Sequence, residues 1–279
     1  MSSKPLRKRS RSALRKLGTF LDEINNQVET EEYILKDPVQ FMHAFCGKKE
    51  REIAGFLSAL LAWGRRDIVI AKAEELFSRM GNSPYHFVAN YRQQDKKFID
   101  GFKHRTFKSD DLHGILFTMK AIYDQFSDFE AFWAHCYQLA ASSGRPLISH
   151  FREEFLNLSS DFPARTHKHL SNPEKGSPSK RLIMFLRWTI RKNSPVDPGI
   201  WDFMTPAELL IPLDVHVARQ SRRYGLLARK SNDWDAVQQL TATLRQLNPE
   251  DPSRYDYALF GLGALNCSIP GEFLLNRNA

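Results

Sequence analysis

The stretch Glu52–Asp67, which reads EIAGFLSALLAWGRRD, decides the fold class of this chain. Its apolar residues recur at positions i, i+3, i+4, i+7 and i+8, the spacing of one buried face of an α-helix. The residues of that face are Ile53, Phe56, Leu57, Leu60 and Leu61. Gly64 predicts the end of this helix, and a second helix is expected after the turn that carries Arg65 and Arg66.

The same spacing recurs along most of the chain, notably at 112–123, 129–137 and 237–244. Alternating strand-like runs and Asn-Gly hairpin signals are missing, which argues against a sheet. Segments that contain proline and polar residues separate the periodic stretches, as at 191–199 and 248–255. The sequence therefore predicts an all-α protein.

Composition indicates a folded protein with an anionic partner. The chain has 279 residues, 42% of them hydrophobic and 26% charged, and a net charge of +8. It is long enough for one large domain or two interlocked small ones. No apolar run reaches the roughly 18 residues of a membrane span, and the basic first residues lack the apolar core of a secretory signal, so we expect a cytoplasmic protein. Residues 1–17 form a basic segment that either contacts phosphate or is a solvated tail.

The cysteines do not predict a cofactor. Cys46, Cys136 and Cys267 are an odd number and lie far apart. This spacing favours neither a disulfide framework nor a zinc or iron–sulfur site. We expect them to be small buried apolar residues, and we expect no cofactor and no metal.

Lys180 stands at a predicted helix start. In GSPSKRLIMFLRWTI, Ser177 has the character of an N-cap and Pro178 that of a first helical residue, which places Lys180 in the first turn. The positive end of a helix dipole disfavours a cation, and the following apolar helix, which includes Trp188, is predicted to be buried. These conditions favour a neutral, nucleophilic amine. The alternative is an exposed lysine at a junction between loop and helix.

The segment IPLDVHVARQSRRYGLL, at 211–227, places Asp214 at another predicted helix start. A plain N-cap is enough to explain this residue. His216 lies two positions later and cannot share a helical face with Asp214, so the pair does not predict a metal site. The basic residues of the same helix share one face, which is either solvated or a phosphate contact: Arg219, Arg222 and Arg223.

Trp63, Arg65 and Arg66 occupy the turn after the first quoted helix. An aromatic ring and two guanidinium groups at a sharp turn can stack on a base or enter a duplex as a wedge. Packing of the tryptophan with two solvated arginines explains the same residues.

Three motifs, in this order along the chain, resemble the helix-hairpin-helix DNA glycosylases: FLSALLAWGRRDIVIAKAEELF, KGSPSKRLIMFL and PLDVHVARQSRRYGLL. The resemblance implies that Asp214 is the catalytic carboxylate and Lys180 the lyase lysine. It also implies DNA contacts by Gly176 and Ser177 of the hairpin and by His216, with Trp63 and Trp188 as further candidates for the base pocket.

The sequence departs from the common glycosylase pattern in two places. The hairpin keeps one glycine and loses an amide donor at Pro178. Lys180 and Asp214 are 34 residues apart, a long gap that resembles the archaeal 8-oxoguanine DNA glycosylase branch. The chain from about 51 to 268 also resembles a bacterial family defined as domain of unknown function 2400, through EIAGFLSALLAWG, KRLIMFLRW, PLDVHVAR and DPSRYDYALFGLG.

The glycosylase resemblance implies a fold of two lobes with the active-site cleft between them. We expect a basic N-terminal tail (1–17), a central lobe (51–192) and a terminal lobe assembled from 18–50 and 193–279. The implied function is a DNA repair glycosylase with AP lyase activity on an oxidised purine such as 8-oxoguanine. The implied protein is a monomer that binds double-stranded DNA at the nucleoid, without an iron–sulfur cluster. The alternatives are a noncatalytic DNA-binding protein of the same fold, and an RNA-directed or protein-interaction role for the basic tail.

Overall fold

The computed structural model describes residues 10–158, 163–264 and 273. In these ranges the regular secondary structure is almost entirely helical, as the periodicity predicts. The α-helices are α1 (Arg11–Val28), α2 (Glu31–Ile34), α3 (Gln40–Ala44), α4 (Lys48–Leu61), α5 (Arg66–Arg79), α6 (Pro84–Ala89), α7 (Lys96–Ile99), α8 (Ser109–Gln125), α9 (Phe129–Ser143), α10 (Leu147–Asn157), α11 (Lys180–Ile190), α12 (Val215–Arg223), α13 (Trp234–Leu244) and α14 (Tyr255–Ala264). None of these described helices is long and apolar enough to cross a membrane.

Helix α4 lies at the centre of the packing. The five apolar residues that define its predicted face are each at most 1% exposed. Helices α3, α5, α6 and α11 pack against it. Phe56 contacts the rings of Phe129, Phe155 and Phe185, which come from α9, α10 and α11. Burial of one such side chain contributes about 1.5–3 kcal/mol. The predicted face of α4 therefore stabilises the packing of the surrounding helices.

Helix α14 connects α1, the first helix of the described chain, with the C-terminal part of the chain. It packs against α1 on one side and α12 on the other. The contact with α1 is close because α14 carries Gly261: a Cβ at this position would stand 2.6 Å from a methyl carbon of Val28. This packing brings the start of α12, which Asp214 caps, next to the C-terminal helix.

Among the described residues, a short hairpin departs from the helical pattern, and the sequence does not predict it. Strands β1 (Lys103–His104) and β2 (Phe107–Lys108) pair in antiparallel register within the described part of the chain. Arg105, in the turn between them, has a φ of 54°. Each strand has only two residues, too few for an alternating pattern to be recognised in the sequence.

Two other expectations need correction. The basic N-terminal segment is not a tail throughout, since α1 begins at Arg11; residues 1–9 lie outside the described residues. Cys136 is buried as expected, but Cys46 is exposed because it lies in the turn between α3 and α4. Cys267 lies outside the described residues.

Candidate active site

A cavity of about 760 Å³ lies between α2, α5, α11, α12, α14 and the turn that follows α4; we call it the chamber. Its walls combine aromatic rings with acidic and basic side chains. The polar and aromatic residues that line it are Tyr33, Asp37, Trp63, Arg66, Lys180, Arg187, Asp214, His216, Asn232, Asp256 and Phe260. The chamber therefore brings together residues from nearly the whole length of the chain.

Lys180 is the first residue of α11, and its side chain lines the chamber. The prediction that it lies in the first helical turn is confirmed. The predicted cap was wrong: Ser179, with a φ of 50°, is the N-cap, and Ser177 lies two residues before it. Ser177 instead belongs to the preceding turn, where its backbone N–H donates to Asn172 O at 3.1 Å and its Oγ accepts from Ser179 N at 3.3 Å.

Asp214 is the N-cap of α12, as predicted. Its Oδ1 accepts hydrogen bonds from the backbone N–H groups of His216 and Val217, both at 2.8 Å. These bonds fix the carboxylate at the helix start, where free amides stabilise negative charge. Because the side chain also lines the chamber, Asp214 faces the same space as Lys180.

Asp256 is a second carboxylate of the chamber, and its side chain is 13% exposed. Burial raises its pKa to about 7; Arg187 and Lys180 act in the opposite direction, and the carboxylate of Asp214 adds to the rise. Lys180 and Asp214 are thus close enough to affect the pKa of Asp256. Asp256 changes its protonation state near neutral pH, which is where proton transfer is useful.

A buried ionic network includes Asp256. Arg187 donates to Asp256 and, at 2.9 Å, to the hydroxyl of Tyr257. Tyr257 donates in turn to Asp197 at 2.6 Å, and Arg191 also pairs with Asp197. Burial by itself would lower the pKa of Arg187, but Asp197, Tyr257 and Asp256 raise it well above the usual value. The network keeps one wall of the chamber rigid and charged.

Aromatic side chains also line the chamber. The guanidinium of Arg66 lies 4.9 Å from the ring centre of Tyr33 and 4.6 Å from that of Phe260, and it donates to the Tyr33 hydroxyl at 2.6 Å. Trp63 lies at the mouth with Arg105 of the hairpin 4.7 Å from its ring centre. Flat apolar faces beside fixed polar groups are typical of sites that bind a planar ring.

Other predicted residues lie outside the chamber. Trp188 is fully buried in the core, and Arg65 is exposed and paired with Asp67 at 2.6 Å. Of the basic residues on α12, Arg219 donates to Gly263 O at 3.3 Å and Arg223 to Gln220 at 3.3 Å. Arg222 donates to carbonyl oxygens of the loop before α13, at Arg229 and Ser231. The structure thus brings together Trp63, Arg66, Lys180, Asp214 and His216 of the predicted set.

Ser177 of the predicted hairpin lines a second cavity of about 560 Å³, which we call the recess. Gly176 precedes it in the left-handed conformation, with a φ of 80°. The charged and ionisable residues that line the recess are Arg152, His167, Lys168, Lys175, Lys180 and Arg181. The recess adjoins the chamber, because Trp63, Pro178 and Lys180 line both.

Several chamber residues escaped the sequence reasoning, namely Tyr33, Asp37, Arg187, Asn232 and Phe260. One of them had a usable signal: Arg187 is a charged residue inside the apolar run 182–190, and a charge that is predicted to be buried needs a partner. The others carry no comparable pattern, because they reach the chamber only through packing of distant helices.

A family model described as "Protein of unknown function (DUF2400)" matches residues 37–265. No curated protein and no solved structure matches the chain. The matched range includes α4, α11, α12 and α14, and with them Lys180, Asp214 and Asp256.

Proposed function

The chain belongs to the DUF2400 family, and we propose that it is a DNA repair glycosylase with AP lyase activity on an oxidised purine such as 8-oxoguanine. One observation carries the proposal: Lys180 and Asp214, 34 residues apart in the sequence, line the same chamber. An amine beside a fixed carboxylate is the pair that Schiff-base chemistry at a sugar carbon requires. The two-lobed glycosylase fold, with the chamber as its cleft, is part of the proposal.

The reaction begins when a damaged nucleotide rotates out of the duplex into the chamber, because its glycosidic carbon is inaccessible inside the base stack. The chamber volume of about 760 Å³ lies within the usual range of ligand sites, about 300–1,000 Å³. The rings of Trp63 and Phe260 offer faces for stacking, and Asn232 offers hydrogen bonds to a base edge.

The carboxylate of Asp214 then stabilises the positive charge that develops on the sugar as the glycosidic bond breaks. The Lys180 nitrogen forms a bond to C1′, the base leaves with a proton, and opening of the sugar ring gives an imine between Lys180 and C1′. Loss of a C2′ proton expels the 3′ phosphate and breaks the strand. Asp256, with a pKa of about 7, accepts and returns protons beside Lys180.

Borohydride trapping tests this proposal, because the reagent reduces the imine to a stable covalent bond. Purified protein is mixed with duplexes that contain 8-oxoguanine, other oxidised bases or an abasic site. We expect a covalent complex that is absent from Lys180→Gln. The matched control is Lys192→Gln, which removes an exposed lysine that pairs with Asp202, and this variant should trap like the original protein.

A noncatalytic DNA-binding protein is the second candidate, because the hairpin departs from the glycosylase pattern on which the catalytic proposal rests. The amides of Gly176 and Ser177 donate within the turn, to Pro173 O and Asn172 O, and Pro178 has no N–H. If no lesion gives a covalent complex while salt-sensitive duplex binding persists, the glycosylase proposal is wrong and this second function replaces it.

A further inference from the structure

The chamber is lined by charges of both signs, whereas the recess is lined by positive charges alone. The chamber is lined by three carboxylates, Asp37, Asp214 and Asp256, together with three cationic side chains. The recess is lined by five lysine and arginine residues and by His167, and none of the described residues in its lining is Asp or Glu. A concave surface with cations alone attracts an anion, because low-dielectric walls focus the field.

The hairpin beside the recess does not offer its amides to an anion. Gly176 N donates to Pro173 O at 2.8 Å, Ser177 N to Asn172 O at 3.1 Å, and Ser179 N to Ser177 Oγ at 3.3 Å. The fourth residue of the turn, Pro178, has no donor. An anion in the recess must therefore be held by side chains.

Arg181 supplies a cation in the wall of the recess. Its guanidinium donates to two backbone carbonyls, Leu60 O and His169 O. Burial lowers its pKa to about 10, and it takes part in none of the ion pairs formed within the described chain. A largely buried guanidinium with carbonyl partners retains its full charge, so an anion nearby stabilises it.

Lys168 and Lys175 are exposed at the rim of the recess, where they can reach an incoming ligand. The acidic neighbour of Lys175, Glu174, does not neutralise the rim, because it pairs with Arg145 at 2.7 Å and 2.9 Å. Arg152, which also lines the recess, donates through Nε to Leu170 O at 3.2 Å. The recess therefore combines two exposed ammonium groups with a largely buried guanidinium.

We propose that the recess binds the phosphodiester group next to the nucleotide that enters the chamber, and that Lys168 and Lys175 take the place of hairpin amides in holding it. This inference rests on the proposed function. Lys180, Trp63 and Pro178 line both cavities, so a strand that places a nucleotide in the chamber passes its adjoining phosphate over the recess. Phosphodiester oxygens accept charge-assisted hydrogen bonds from lysine and arginine.

The first test is the salt dependence of binding to a duplex with a tetrahydrofuran abasic analogue. Each phosphate contact contributes a slope of about −0.9 in log K against log[salt]. Because both lysines hold the same phosphate, the double variant Lys168→Gln/Lys175→Gln should lose about 0.9 unit of slope, which corresponds to a roughly eight-fold weaker complex at about 0.1 M salt. Lys192→Gln, at an exposed site in another cavity, should lose at most about one tenth of that slope.

The second test identifies which phosphodiester linkage of the strand binds in the recess. One uncharged methylphosphonate is moved along the strand, linkage by linkage. The original protein should lose affinity when the neutral linkage adjoins the abasic analogue on one side, and the double variant should not respond at that linkage. Inorganic phosphate at constant ionic strength should compete no better than chloride; strong competition assigns the recess to free phosphate and overturns the inference.

The outcomes separate this inference from the proposed function. If the original protein traps on a lesion but the double variant keeps the original salt slope, the recess inference is wrong and the glycosylase proposal stands. If trapping fails while the slope still depends on Lys168 and Lys175, the recess inference stands alone. Absence of duplex binding by the original protein overturns both. Melting curves show whether the double variant is folded, and both side chains are exposed.

Discussion

The two ends of α11 use cationic side chains in opposite ways. At its start, Lys180 lines the chamber and the recess and has no ion pair among the described residues. At its other end, Arg187 and Arg191 are each 3% exposed and are surrounded by Asp197, Asp256 and further carboxylates. One helix thus carries an accessible cation at one end and enclosed cations at the other.

The difference distinguishes charges that stabilise the fold from the amine that the proposed reaction uses. A buried charge is tolerated only when partners offset its loss of solvent. The C-terminal half of α11 therefore depends on the carboxylates that surround Arg187 and Arg191. An amine that must attack a substrate needs an open approach, and the N-terminus of α11 provides one. Substitutions at the two ends should therefore affect different quantities: the free energy of unfolding at the C-terminal end and the rate of borohydride trapping at the N-terminal end.

Asp197→Ala should have the largest effect on stability. It leaves Arg187 and Arg191 buried with a missing partner, and loss of one member of a buried ion pair costs about 3–5 kcal/mol. The free energy of unfolding in urea measures this cost. The matched control is Asp202→Ala, whose exposed pair with Lys192 contributes less than about 1 kcal/mol. Equal losses in the two variants would show that the network is not what stabilises this end of α11.

Asp214→Asn should reduce the rate of borohydride trapping by roughly 10²–10³, the usual cost of removing one group that stabilises transition-state charge. Its melting temperature should change little, because asparagine caps a helix as well as aspartate. Asp128→Asn makes the same change at the N-cap of α9, where the side chain accepts from Ala131 N at 2.8 Å, and trapping should be unaffected. A large loss of stability in Asp214→Asn with normal trapping would show that Asp214 acts only as a helix cap.

Asp256→Asn should alter the pH dependence of stability. The raised pKa of about 7 means that the folded state binds a proton that the unfolded state releases near pH 4. This stabilising contribution is complete below about pH 4 and is lost as the pH rises through about 7, at about 1 kcal/mol per pH unit. Between about pH 5 and 7 the original protein should thus lose stability relative to the variant.

Asp110→Asn is the control for this measurement. The hydrogen bond from Lys96 lowers the pKa of Asp110, so its contribution changes only in acid and should be constant above about pH 5. Parallel stability curves for the original protein and Asp256→Asn would contradict the raised pKa, and with it the role of Asp256 in proton transfer.

Local sequence signals predicted the parts of the site that depend on neighbouring residues. The spacing of Ile53, Phe56 and Leu60 predicted α4, and Asp214 was recognised as a helix start from its own segment. The cap of α11 was misplaced by two residues, because Ser177 and Ser179 are both good caps and only the turn geometry distinguishes them. Trp188 was assigned to the base pocket because a tryptophan fits either a pocket or a core, and the packing of α11 places it in the core.

The sequence by itself determined that this chain forms helices, and that a lysine and an aspartate stand at two helix starts. Periodicity and capping act over a few residues, so a single sequence displays them. Only the tertiary structure decided that Lys180 and Asp214 share a chamber, that Asp256 joins them with a raised pKa, and that Lys168 and Lys175 meet at one recess. These features depend on burial and on contacts between distant segments, which no local pattern specifies.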